Sequence, residues 1–219
     1  MTNIFYANYN LLLMIPPIIR NGLCLLLCAF SLNLNAQWTN GQNATFVIGQ
    51  PDFTTQGANV TINGLDDPES IAIDKVNNKL YVADGDDNLI KRYSLPITTN
   101  QPNAELVFGQ PNFTLSGGRT TQNGLDDPRG LFVDNTGRLW VTEDDNNRVV
   151  WYDNAYGITT NMPNADGVLG QPNFTSNTAN TTQNGMNAPS GITGDLNGTI
   201  WVSDAVSYTH LTLPTIYSV

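Results

Sequence analysis

The sequence predicts an all-β protein built from tandem four-stranded antiparallel units. Three observations lead there: a composition poor in helix formers, an internal repeat of about 60 residues, and apolar residues that alternate or come in short bursts between turn formers. The 219 residues suffice for one domain of ordinary size. Only 13% are charged, against 19 Gly and 12 Pro. A helical bundle would need far more Glu, Lys, Ala and Leu, whereas turns and short strands suit this mixture.

The repeat is the strongest signal. Gly49-Gln50-Pro51-Asp52-Phe53-Thr54 returns as Gly109-Gln110-Pro111-Asn112-Phe113-Thr114 and as Gly170-Gln171-Pro172-Asn173-Phe174-Thr175, at offsets of 60 and 61. Asn63-Gly64-Leu65-Asp66-Asp67-Pro68 matches Asn123-Gly124-Leu125-Asp126-Asp127-Pro128 and, more loosely, Asn184-Gly185-Met186-Asn187-Ala188-Pro189 in the same register. The repeats are therefore set at residues 43–102, 103–163 and 164–205.

Each unit reads as four strands. In the second copy strand a lies near Gly130 to Asp134, b near Arg138 to Thr142, c near Arg148 to Asp153 and d near Gly167 to Gly170. A further d strand, Thr45 to Gly49, leads the first copy. Repeated four-stranded meanders point to a β-propeller, of which residues 37–205 form an incomplete ring, since propellers close with roughly four to eight blades. A β-sandwich is the alternative, but it needs no 60-residue repeat. The long stretch from Gln50 to Glu69 and its two echoes is read as architecture folded back on the blade edge, with Phe53, Phe113 and Phe174 buried.

Pro68-Glu69-Ser70-Ile71-Ala72-Ile73-Asp74, Leu80-Tyr81-Val82-Ala83-Asp84 and Asn88-Leu89-Ile90 resemble the blade of the NHL-repeat family of β-propellers, secreted bacterial type. Pro128 to Asp134, Leu139-Trp140-Val141-Thr142-Glu143 and Asn147-Arg148-Val149 resemble it as well. The departure is the unit length, about 60 residues where such blades take roughly 40 to 45. The resemblance implies a propeller and a binding role. It also implies an alternative, because related propellers include Ca²⁺-dependent lactonases and lyases whose metal sits at the central channel.

The flanks differ from the body. Residues 1–36 read as a signal peptide: Arg20 precedes the apolar run Leu23 to Leu32, and Ala36 offers a cleavage site. Pro16-Pro17 and Arg20 keep the apolar run short of the roughly 20 residues that span a bilayer. Secretion, to the periplasm or the cell surface, is the expectation, with no membrane association after cleavage. Cys24 and Cys28 both fall in this segment, which leaves the mature chain no disulfide, thiol nucleophile or Cys-based zinc site. Residues 206–219 break the repeat pattern. Val206 to Thr215 resembles one reading frame of a transposase adapter used in sequencing-library preparation, so this tail, with His210, is read as non-native.

Nine Lys and Arg stand against 19 Asp and Glu, and the net charge is −10. Nucleic acid is excluded as a general partner, because phosphate binding needs cations. Strand alternation puts the b–c and d–a loops at one end of each blade. That end gathers ten acids: Asp66, Asp67, Asp84, Asp86, Asp87, Asp126, Asp127, Glu143, Asp144 and Asp145. One reading is a ligand face for a protein, a glycan or a hard cation such as Ca²⁺. The other is that these side chains cap turns by accepting backbone N–H groups. Asp84-Gly85-Asp86-Asp87-Asn88 lacks the spacing of an EF-hand, and the third copy replaces Asp-Asp by Asn187-Ala188.

No catalytic residue is assigned, since acids that recur with the blade are structural more often than catalytic. Tyr81, Trp140, Trp151 and Trp201 are assigned to blade packing. The function expected is a secreted, non-catalytic binding module without a cofactor. The alternative is the Ca²⁺-dependent enzyme, its active site in further blades.

Overall fold

The computed structural model describes residues 39–195 and 197–205. The expected signal peptide, both cysteines, the 206–219 tail and His210 lie outside them. The chain divides into Met1–Asn43 and Ala44–Val219. In the first unit the described residues form a small turn, with Thr39 N–H donating to Gln42 Oε1 and Gln42 N–H to the Thr39 carbonyl.

In the second unit ten strands form three antiparallel sheets with neighbours in chain order. β1 (Pro68–Asp74), β2 (Lys79–Asp84), β3 (Leu89–Ser94) and β4 (Leu106–Phe108) make the first. β5 (Pro128–Val133), β6 (Leu139–Glu143), β7 (Arg148–Tyr152) and β8 (Gly167–Leu169) make the second. β9 (Pro189–Gly194) and β10 (Ile200–Asp204) make the third. These are two complete blades and half of another: an all-β, partial β-propeller. The four strands expected in the second copy fall within two residues of β5 to β8.

Strand alternation builds the core between sheets. Tyr81 and Ala83 on β2, with Leu106 and Phe108 on β4, meet Leu131, Leu139, Val141 and Tyr152 of the second sheet. The Phe108 and Tyr152 rings meet edge to face at 4.9 Å. The opposite face of the second sheet, with Trp140 and Val149, packs on Ile200 and Val202 of the third. The second sheet is thus apolar on both faces, as stacked blades require.

The expected leading strand, Thr45 to Gly49, is absent as a strand; only an isolated bridge joins Gly49 to Gly64. Its tertiary contacts are nevertheless those of a d strand. Val47 N–H donates to Asn100 Oδ1 and its carbonyl accepts from Gln101, just as Val107 on β4 does with Asn161 and Met162. What differs is the partner: β4 lies on β3, and no described strand offers Thr45 to Gly49 a ladder.

The long loops are ordered by their repeated residues. Gly49, Gly109 and Gly170 hold φ of 88°, 83° and 84°, which glycine adopts at little cost. The following glutamine fastens the loop: Gln110 Nε2 donates to the carbonyls of Asn88 and Gly117, and Gln171 Nε2 to those of Asn147 and Thr178. Asn112 Oδ1 then accepts from the Thr114 N–H and hydroxyl, as Asn173 does from Thr175.

One expectation here needs correction. Phe113 packs on the first sheet and Phe174 on the second, but Phe53 is 57% exposed. Each phenylalanine lies on the blade that precedes its loop, and no described sheet precedes Phe53.

Candidate functional site

The last residue of each b strand is an acid: Asp84, Glu143 and Asp204. A register shift at the start of the a strand sets these acids opposite Pro68, Pro128 and Pro189. There each accepts from the loop entering its own blade. Asp84 accepts the N–H groups of Asp66 and Asp67, Glu143 that of Asp126, and Asp204 that of Asn187.

In the two complete blades this acid also meets a buried cation. Lys91 Nζ lies 3.5 Å from Asp84 Oδ2 and donates to the Gly64 carbonyl at 2.6 Å. Arg148 donates to Glu143 at 2.8 Å and to the carbonyls of Thr121, Gly124 and Phe174. The two cations come from different strand positions: Lys91 aligns with Val150, and Arg148 with Leu89. Both nevertheless reach the same loop carbonyl, that of Gly64 or its counterpart Gly124. Asp84, Lys91, Glu143 and Arg148 are fully buried. Burial lowers Lys91 from its ordinary value and pushes Glu143 upward, in the latter case against Arg148, Asn146 and the Asp126 N–H.

The b–c turns hold a second buried position. Asn146 Nδ2 donates to Glu143 Oε2 at 2.5 Å and to the Arg119 carbonyl, while its Oδ1 accepts from the Thr120 hydroxyl at 2.7 Å. In the first blade Asp87 stands at this position with 1% exposure, and its Oδ2 has no partner. Burial, then the Asp84 charge, push Asp87 up to about 7.

Neighbouring blades interlock at this end. Asn88 Oδ1 accepts the Asp127 N–H at 2.8 Å, and its counterpart Asn147 accepts the Ala188 N–H at 2.9 Å. Within a blade, Gly85 N–H donates to the Asp67 carbonyl and Asp144 N–H to that of Asp127. The b–c and d–a loops therefore do share one end, as strand alternation requires.

The ten acids at that end are not equivalent. Asp66, Asp67, Asp86 and Asp145 are exposed, and Asp126, Asp127 and Asp144 are half-buried. Asp84, Asp87 and Glu143, named among the ligand-face candidates, are inside and present no carboxylate to an outside ligand. Register places each b-strand terminus under the incoming loop, so its acid caps that loop. Asp127 and Asp144 both pair with Arg129, at 2.9 and 2.8 Å. Asp126 is pushed upward by burial and then by Asp145 and Asp127.

Beside these acids the first strands of the three blades, with β10, frame a concavity of about 370 Å³, lined by Glu69, Ser70, Arg129, Ser190 and Ser203 among others. It joins two charges of opposite sign to several hydroxyls. Among the described residues no group of three or more His, Cys, Asp and Glu side chains is arranged to hold a metal.

The aromatic expectation holds in part: Tyr81 and Trp140 are buried, Trp151 lies against Trp140 with ring centroids 5.1 Å apart and planes tilted by 39°, and Trp201 is 38% exposed. Sequence reading missed Lys91 as a buried partner. It also missed the blade clasp made by Asn100 and Asn161. The repeated Thr-Thr-Asn-x-Pro-Asn-Ala of residues 98–104 and 159–165 was the available signal for the latter.

No family model matches the chain, and a search of curated proteins finds no match. Among solved structures it is similar to a luciferin-regenerating enzyme, at 14% identity and a TM-score of 0.43 over 71% of this chain and 42% of that one. A streptogramin B lyase is similar at 19% identity and a TM-score of 0.35, over 63% of this chain and 34% of that one. A virginiamycin B lyase from Staphylococcus aureus is similar at 21% identity and a TM-score of 0.36, with the same coverage. The chain spans less than half the length of each.

Proposed function

We propose that the chain is a secreted, NHL-type propeller module that binds a protein or glycan through its acidic loop end, without catalysis of its own. One observation carries this reading: Asp66, Asp67, Asp86 and Asp145 are exposed at the loop end, where Arg129, a residue lining the concavity, pairs with Asp127 and Asp144. Asp84 and Glu143 there hold loops and Asp127 and Asp144 pair with Arg129, whereas these four are exposed carboxylates on a stacked-blade support. Spare carboxylates attract cationic protein surfaces and accept hydrogen bonds from sugar hydroxyls, and a net charge of −10 favours encounter with the former.

The test is binding of the full chain to an oligolysine peptide and to an array of neutral oligosaccharides. The variant carries Asp66→Asn, Asp67→Asn, Asp86→Asn and Asp145→Asn together. Binding to one probe class is expected to weaken by about tenfold or more, which is 1.4 kcal/mol or more, with little change in melting temperature. Equal binding by variant and wild type, or binding to neither class, rejects the reading.

A further inference from the structure

The second blade shows what the b–c turn is shaped to hold. Asn146 is a donor to Glu143 and an acceptor from Thr120, so both ends of its amide are used. The first blade changes both partners: Asp87 stands where Asn146 does, and Val60 where Thr120 does. A carboxylate at Asp87 has no hydrogen to give Asp84, and valine has none to give Asp87. The result is the unpartnered Asp87 Oδ2, closed off from water. Two ionised acids here would share one ammonium, Lys91.

We propose that the first blade contains a proton-operated latch. Asp87 stays a neutral acid and donates its carboxyl hydrogen to Asp84, as Asn146 donates its amide hydrogen to Glu143. Losing that proton loosens the β2–β3 turn from the loop that Asp84 caps. No covalent chemistry is involved: the proton goes to solvent and returns from it.

The groups facing Asp87 are Asp84 at the end of β2, Lys91 on β3 and Asp66 on the entering loop; Tyr93 on β3 faces Asp84. Asp84 and Asp66 raise Asp87 and Lys91 lowers it, with burial the largest influence and a net position of about 7. A carboxyl raised in the folded state holds its proton more tightly there than in the unfolded chain. The latch therefore stabilises fully below the ordinary carboxylate range, and that contribution is lost as pH rises through about 7.

Thermal melting of the full chain from about pH 5 to about pH 8 tests this against Asp87→Asn, which restores the donor of the second blade. The melting temperature of Asp87→Asn minus that of wild type is expected to grow by about 3–6 °C across the range. The Asp52→Asn control, which installs the residue of the other two copies at an exposed position, should run parallel to wild type, because Asp52 is held down at about 2 by its Thr54 and Thr55 hydrogen bonds. Parallel curves for Asp87→Asn overturn the proposal. Should that variant not fold, amide hydrogen exchange of the wild type decides. Protection of the Asp66 and Asp67 N–H groups, taken relative to that of Asp126, should fall above about pH 7; a constant ratio overturns the latch.

Discussion

Arg148 shows at the residue scale how a wholly buried guanidinium is tolerated. Its Nε, Nη1 and Nη2 atoms all find acceptors, two oxygens of Glu143 and three loop carbonyls. Removing it strands Glu143 in a water-excluded site. Arg148→Ala is expected to cost about 3–5 kcal/mol in chemical denaturation. Arg148→Lys should recover only part of this, because an ammonium cannot span all these acceptors. The first blade solves the same problem with Lys91 from another position on strand c, so the constraint is a cation at the loop carbonyl and not a particular residue in the alignment.

Loops and strand ends carry the organisation at the element scale. Asn88 holds φ at 54° and joins two blades: it accepts from Asp127 and donates to the carbonyls of Asp86 and Ser116. Asn88→Ala should destabilise by about 2 kcal/mol, since it loses three hydrogen bonds of modest net value and places alanine in a left-handed conformation. Asn88→Gly should regain the conformational part alone, which denaturation of the two variants separates. Gly167 on β8 has a different reason: a Cβ there would meet the Trp151 ring at 1.8 Å. Gly167→Ala should push that ring out of place, with a visible change in tryptophan fluorescence and a lower melting temperature.

Stacking of blades is the organising interaction of the described molecule as a whole. Leu131 of the second blade is 6% exposed because the first blade covers it, while its counterpart Ile71 is 65% exposed and Ile73 is 47% exposed. No described sheet lies on that face of β1. Such an apolar face attracts other apolar surfaces. Ile71→Thr with Ile73→Thr is expected to reduce dye binding and concentration-dependent association, measured by fluorescence and light scattering, while keeping the strand, since threonine is β-branched too.

Strands, repeat register and the shared end of the b–c and d–a loops were legible in the sequence, because side-chain alternation and turn chemistry are local and the copies corroborate one another. Burial of Asp84, Asp87 and Glu143 was not legible: an acid at a strand end looks the same whether it faces water or an incoming loop. Only the tertiary structure assigned Lys91 and Arg148 to one role from two alignment positions, since reach and packing decide which side chain arrives at a carbonyl. Phe53 is the converse case. Its motif matches that of Phe113 and Phe174, yet a motif cannot supply the neighbouring sheet on which its burial depends.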